Sequence, residues 1–120
     1  MISDGTEVIV GAKRDPHFGP VVLFGTGGVL VEAIRDVAMT LAPTTRERAG
    51  DLIGGTVAGR LLAGHRGRSG GDTAALADLI VRIAELLASD QDIQEIDLNP
   101  VIVNAAGAHI ADVRVVSGRP

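Results

Sequence analysis

The feature that most constrains this fold is a change of hydrophobic period between residues 72 and 104. Leu76, Leu79, Ile80, Ile83, Leu86 and Leu87 recur at i, i+3, i+4 and i+7 spacing, with Asp78, Arg82 and Glu85 on the other side. That pattern is an amphipathic helix, and Asp72 is placed to cap it. From Ile93 the period becomes two. Ile96 and Leu98 alternate with Glu95, Asp97 and Asn99, and Val101 and Val103 continue to a turn at Asn104-Ala105-Ala106-Gly107. The returning strand is expected from Ala108 to about Val116, so the chain ends on a β-hairpin. A helix that buries one stripe beside strands that bury one face specifies an α+β domain with a mostly antiparallel sheet.

The remaining segments fit that frame. Thr6 to Ala12 alternates through Val8 and Val10, which reads as a strand, and Asp15-Pro16 is expected to end it. Pro20 to Phe24 is apolar and β-branched, a second strand, after which Gly25-Thr26-Gly27-Gly28 turns the chain into Val29-Leu30-Val31. Val37, Met39 and Leu41 alternate with smaller residues, favouring a strand over Ile34 to Leu41 that Pro43 ends. Thr44-Thr45-Arg46-Glu47 is a threonine cap with an acid in the first turn, and Ala49, Leu52 and Ile53 follow at helical spacing to Gly54-Gly55. Val57 to Leu62 is a further short helix. Two or three helices are therefore expected in a single domain covering residues 1–120.

Composition excludes several classes of function. There is no cysteine, so disulfides, thiolate metal sites and a cysteine nucleophile are ruled out, and a metal would need oxygen or histidine ligands. Net charge is -4, and two Phe with no Tyr or Trp leave no base-stacking platform, so nucleic acid is not an expected partner. No apolar run approaches the ~18 residues of a membrane span, and Met1-Ile2-Ser3-Asp4-Gly5 has neither a basic start nor a signal core. A cytoplasmic address is the default expectation.

If the turn closes symmetrically about Ala105 and Ala106, Val103 meets Ala108, Val101 meets Ile110, and Asn99 meets Asp112. Directly opposed residues have Cβ atoms roughly 4.5–5.5 Å apart, close enough for two side-chain oxygens to share a cation. Magnesium takes hard oxygen ligands and commonly only one or two from protein. Asp97 lies two residues earlier on the same face, able to add a ligand or orient one. The alternative is that Glu95, Asp97, Asn99 and Asp112 form the wet face of an antiparallel sheet. Two readings also stand for the glycine-rich loops. Gly27 and Gly28 can offer backbone N–H groups to a phosphate or make a tight turn, without the spacing or lysine of a P-loop. Arg66 and Arg68 can contact a phosphate or remain solvated. His17, His65 and His109 show no metal-ligand spacing, and strand parity turns His109 away from Asp112, toward a structural role.

Glu95-Ile96-Asp97-Leu98-Asn99-Pro100, followed by an apolar strand, a small turn and Asp112, resembles the metal-binding hairpin of the ATP-grasp domain in NDP-forming acyl-CoA synthetases. The family includes succinyl-CoA synthetase and the ADP-forming acetate-CoA ligases. The resemblance continues through Gly5 to Gly11, Asp15 to Pro20, Phe24 to Gly28, Val31-Glu32, Asp36, Leu41-Ala42-Pro43 and Gly64-His65-Arg66-Gly67. It implies that Asn99 and Asp112 are magnesium ligands and that Glu7 is a carboxylate of the nucleotide site, with Mg2+ and ATP as cofactors.

It further implies the C-terminal portion of an ATP-grasp domain, with the N-terminal lobe and the CoA-binding and ligase domains lying outside these 120 residues. The parent would convert acid, CoA and ATP to acyl-CoA, ADP and phosphate, and the isolated chain is expected to be inactive. Its partners would be the remaining domains or subunit of that parent. The alternatives are a regulatory synthetase-like domain fused to an acetyltransferase, and an interaction module that pairs through an exposed edge into a homodimer.

Overall fold

The computed structural model describes residues 5–26, 37–62 and 72–118. The strand expected at Val29 to Val31, the start of the one expected at Ile34, and Gly27, Gly28, Arg66 and Arg68 lie outside the described residues. Those described form β1 (Thr6–Asp15), β2 (Gly19–Thr26), β3 (Val37–Leu41), α1 (Arg46–Gly54), α2 (Val57–Leu62), α3 (Thr73–Ser89), β4 (Ile93–Asn104), β5 (Gly107–Ile110) and β6 (Val113–Ser117).

All six strands join one antiparallel sheet in the order β3-β2-β1-β4-β5, with β6 pairing β4 beyond β5. The helices cover one face. Val8, Val10 and Ala12 of β1, Val22 and Phe24 of β2, and Ile96, Leu98, Val101 and Val103 of β4 pack against Ala49, Leu52, Ile53, Leu76, Ile80, Ile83 and Leu87. This is the period-two and period-3.6 patterning meeting in a two-layer core. The fold is the expected α+β, mostly antiparallel lobe, with three helices among the described residues.

Both longer helices begin where side-chain chemistry allows. Thr45 accepts from Arg48 N–H at 3.1 Å, and Asp72 accepts from Ala75 N–H at 2.9 Å. Each satisfies a donor that the first helical turn leaves unpaired. Arg14, on β1, closes the other end of α3. It donates to the carbonyls of Leu87 at 2.6 Å, Asp90 at 2.9 Å and Ile93 at 3.0 Å. A cation on helix C-terminal carbonyls is favoured by the helix dipole as well as by the bonds. It fixes the path from α3 into β4.

The return strand departs from expectation. It does not run unbroken from Ala108 to Val116 but divides into β5 and β6 at Ala111 and Asp112. The cause lies in β4, where the buried residues are Ile96 and Leu98 and then Val101 and Val103. Alternation slips by one residue at Asn99 and Pro100. The pairing of β1 with β4 shifts at the same place, so that these two residues together span the position of Ile9. This is a β-bulge. The return side shares the slip, because Val101 faces Ile110 while Leu98 faces Val113.

Candidate functional site on the open sheet face

With the described helices on one side, the residues alternating out of the core of β1 to β4 line the opposite face, which is open in that no described helix covers it, although Val21 within it is buried. On β1 these are Glu7, Ile9, Gly11 and Lys13; on β4 they include Glu95, Asp97 and Ile102. The registers arrange them in rows across the strands. One row runs Met39, Leu23, Gly11, Asp97, Arg114, and the next runs Leu41, Val21, Lys13, Glu95, Val116. The end of the face toward β3 is apolar, with Val37, Met39 and Leu41 exposed by 44%, 47% and 54%. The end toward β4 and β6 is charged.

Asn99 and Asp112 lie at the centre of the charged end. Asn104 faces Gly107, Val103 faces Ala108 and Val101 faces Ile110, and on the far side of the bulge Leu98 faces Val113. Asn99 therefore stands across from Asp112, its N–H donating to the Asp112 carbonyl at 3.2 Å. Both residues are exposed. The Asp112 carboxylate accepts from Val113 N–H through Oδ1 at 2.9 Å, which orients the group and leaves Oδ2 for a cation. The donor set is chemically suited to magnesium: two hard oxygens on adjoining strands, with room for phosphate and water to complete the shell. A richer cage is absent, for no group of three or more His, Asp and Glu side chains among the described residues is placed to hold a metal. Asp97 is half-buried between Gly11 and Arg114, one step before the pair.

Glu7 lies across from Ile102, exposed and two residues before Ile9, the residue that faces the bulge. It is thus on the same face as Asn99 and Asp112, displaced along β1 by roughly 7 Å at the usual strand rise. His109 also faces Ile102. Simple parity set it away from Asp112; the break at Ala111 and Asp112 resets the alternation and returns both to the open face. Its Nε2 lies 3.2 Å from Asn104 Oδ1, which also accepts from Ala106 N–H at 2.9 Å, so its contact serves the hairpin turn. Gly27, Gly28 and Arg66 lie outside the described residues. A cavity of about 340 Å³ between β3 and α1, lined by Met39, Arg48 and Asp51 among others, is separate from the hairpin that carries Asn99 and Asp112.

Arg14 and Arg114 were not singled out in the sequence. Nothing in sequence spacing ties Arg14 to carbonyls more than seventy positions away. Arg114 was discoverable, because the hairpin count that pairs Asn99 with Asp112 also pairs Asp97 with Arg114.

Comparison with known proteins gives the face its context. A family model described as an ATP-grasp domain matches residues 1–116. The chain is 44% identical over 118 residues to acetate–CoA ligase (ADP-forming) I of Archaeoglobus fulgidus, covering 98% of this chain and 17% of that protein. It is 44% identical over 116 residues to the beta subunit of acetate–CoA ligase (ADP-forming) I of Pyrococcus furiosus, covering 97% of this chain and 50% of the subunit. Its structure superposes with a TM-score of 0.90 on the dinucleotide-forming acetyl-coenzyme A synthetase 1 of Ca. Korarchaeum cryptofilum, solved with coenzyme A and Mg-AMPPCP. That match has 39% identity and covers 98% of this chain and 55% of the other. The chain thus spans half or less of the length of these two curated relatives. From the match along nearly its whole length, the chain belongs to the ATP-grasp family, as a lobe of the kind carried by ADP-forming acyl-CoA synthetases.

Proposed function

We propose that this chain is the C-terminal part of an ATP-grasp domain, that it binds Mg-ATP on its open sheet face, and that Asn99 and Asp112 hold the metal. The observation that carries the reading is the exposed, cross-strand placement of those two oxygen-bearing side chains on the metal-suited hairpin. Magnesium, when bound there, would neutralise phosphate charge and help align a phosphoryl group for transfer. Asp97 orients or supplements the pair, and Glu7 offers a carboxylate to ribose hydroxyls. Gly27, Gly28 and Arg66 are assigned phosphate contacts on sequence grounds alone.

The open face is only half of a site, since an enclosed nucleotide needs a second wall. In this reading the preceding lobe of a longer polypeptide or subunit supplies it. That parent joins an organic acid to coenzyme A at the expense of ATP, releasing ADP and phosphate. The ligase and synthetase relatives favour this role over a regulatory domain of an acetyltransferase fusion.

The test is a titration of magnesium, then ATP, into the isotopically labelled parent protein while the Asn99 and Asp112 amides are followed by NMR. Both amides should shift with Mg-ATP more than with ATP in the presence of a chelator. Shifts confined to other strands would overturn the assignment.

A further inference from the structure

The open face has a residue that the metal pair leaves without a role. Arg114 stands across from Asp97 in the pairing of β4 with β6, two residues beyond Asp112. Its strand is at the sheet edge and its side chain is exposed. It makes no ion pair or hydrogen bond with a described residue; the ion pair shown among them joins Arg46 to Asp78 on the helical side. An exposed arginine beside a carboxylate, with neither engaged by a described residue, is available to an anion.

The charges around Arg114 favour that role. The charged end of this face presents the carboxylates of Glu7, Glu95, Asp97 and Asp112. A polyphosphate brought to them is repelled unless cations intervene. Lys13 lies one row further away, across from Glu95. Arg114 is the nearer cation, about 7 Å along the strand from Asp112, within the span of an arginine side chain. Its planar fork suits the oxygens of a phosphoryl group.

Space has also been left beside it. Gly11, the neighbour of Asp97 on β1, sits inside a strand where glycine is normally unfavourable. Among the described residues, a Cβ built there would meet only the Ile96 carbonyl oxygen, at an ordinary 3.7 Å. Packing among the described residues does not demand glycine. Gly11 lies in regular register, clear of the bulge, and an interior strand glycine of that kind fits close approach by a ligand or another backbone.

From the juxtaposition of Arg114, Asp97 and Gly11 beside the Asn99–Asp112 pair, we propose that Arg114 binds the terminal phosphoryl group of the nucleotide. The inference rests on the reading of the face as a Mg-ATP site, and its test separates the two. Binding of Mg-ATP and of AMP is measured by calorimetry on the full parent protein carrying Arg114→Gln, Arg114→Lys or Asp112→Asn. Arg114→Gln should weaken Mg-ATP by about tenfold or more, the scale of a charge-assisted contact, and leave AMP unchanged. Arg114→Lys should recover part of the loss. Equal losses for Mg-ATP and AMP would mark a merely structural residue and overturn the proposal. So would undiminished Mg-ATP affinity in Arg114→Gln alongside a loss in Asp112→Asn, and the metal site would then stand without Arg114. Undiminished affinity in Asp112→Asn would overturn the metal site itself.

Discussion

Arg14 carries a structural burden that its charge alone would not suggest. By bonding to three main-chain carbonyls at the end of α3 and the start of β4, it joins β1 to both. Arg14→Ala removes this donor from the part-buried Leu87 and Ile93 carbonyls, while the exposed Asp90 carbonyl keeps Ile93 N–H, and should lower unfolding stability by about 1–3 kcal/mol. Urea denaturation of this chain checks it; a loss below about 0.5 kcal/mol would show that water replaces the guanidinium at little cost. Gly59 is constrained differently. A Cβ there would overlap the Ile53 carbonyl, because the start of α2 crosses the end of α1 at backbone contact. Gly59→Ala should therefore destabilise by more than about 2 kcal/mol, as backbone shifts in packed regions do, and a thermal melt unchanged from the parent would contradict this close approach. Neither role was legible in the sequence, since both depend on atoms brought together by tertiary packing.

At the scale of elements, the strongest periodic signals became structure with little change. α3 begins at the Asp72 cap and buries the anticipated stripe, although Leu79 is half-buried and Leu86 exposed because the helix packs on a narrower face. Asp72→Ala should cost about 1 kcal/mol, the usual scale for a lost N-cap, readable in the same denaturation experiment. The β4 turn and its register were also legible, because Asn104 and Gly107 frame it and the valines alternate around it. The break in the return strand was not recognised, though its trace is present. Leu98 and Val101 are three residues apart, as are Ile110 and Val113. A strand of strict period two cannot bury both members of the first pair on one face, and the shared slip follows. Counting residues opposite one another survives that slip; assigning faces by parity does not. Asn99 therefore still meets Asp112, whereas the orientation inferred for His109 changed.

The described residues form a two-layer lobe with helices on one sheet face and no described helix on the other. Apolar Val37, Met39 and Leu41 at one end and Asn99, Asp97 and Asp112 at the other give that face a polarity suited to a ligand with an apolar head and a charged tail. The family was legible from ordered motifs distributed along the chain. The second wall proposed for the site is not legible in these 120 residues, and the chain spans half or less of the two curated relatives it matches. Whether Asn99 and Asp112 hold the metal of Mg-ATP on this face is decided by calorimetric titration of Mg-ATP into the full parent protein carrying Asp112→Ala. Glu85→Ala, on the exposed side of α3, serves as the control. Asp112→Ala should abolish measurable Mg-ATP binding while Glu85→Ala binds as the unsubstituted protein does; unchanged affinity in Asp112→Ala would mean that the metal is held elsewhere.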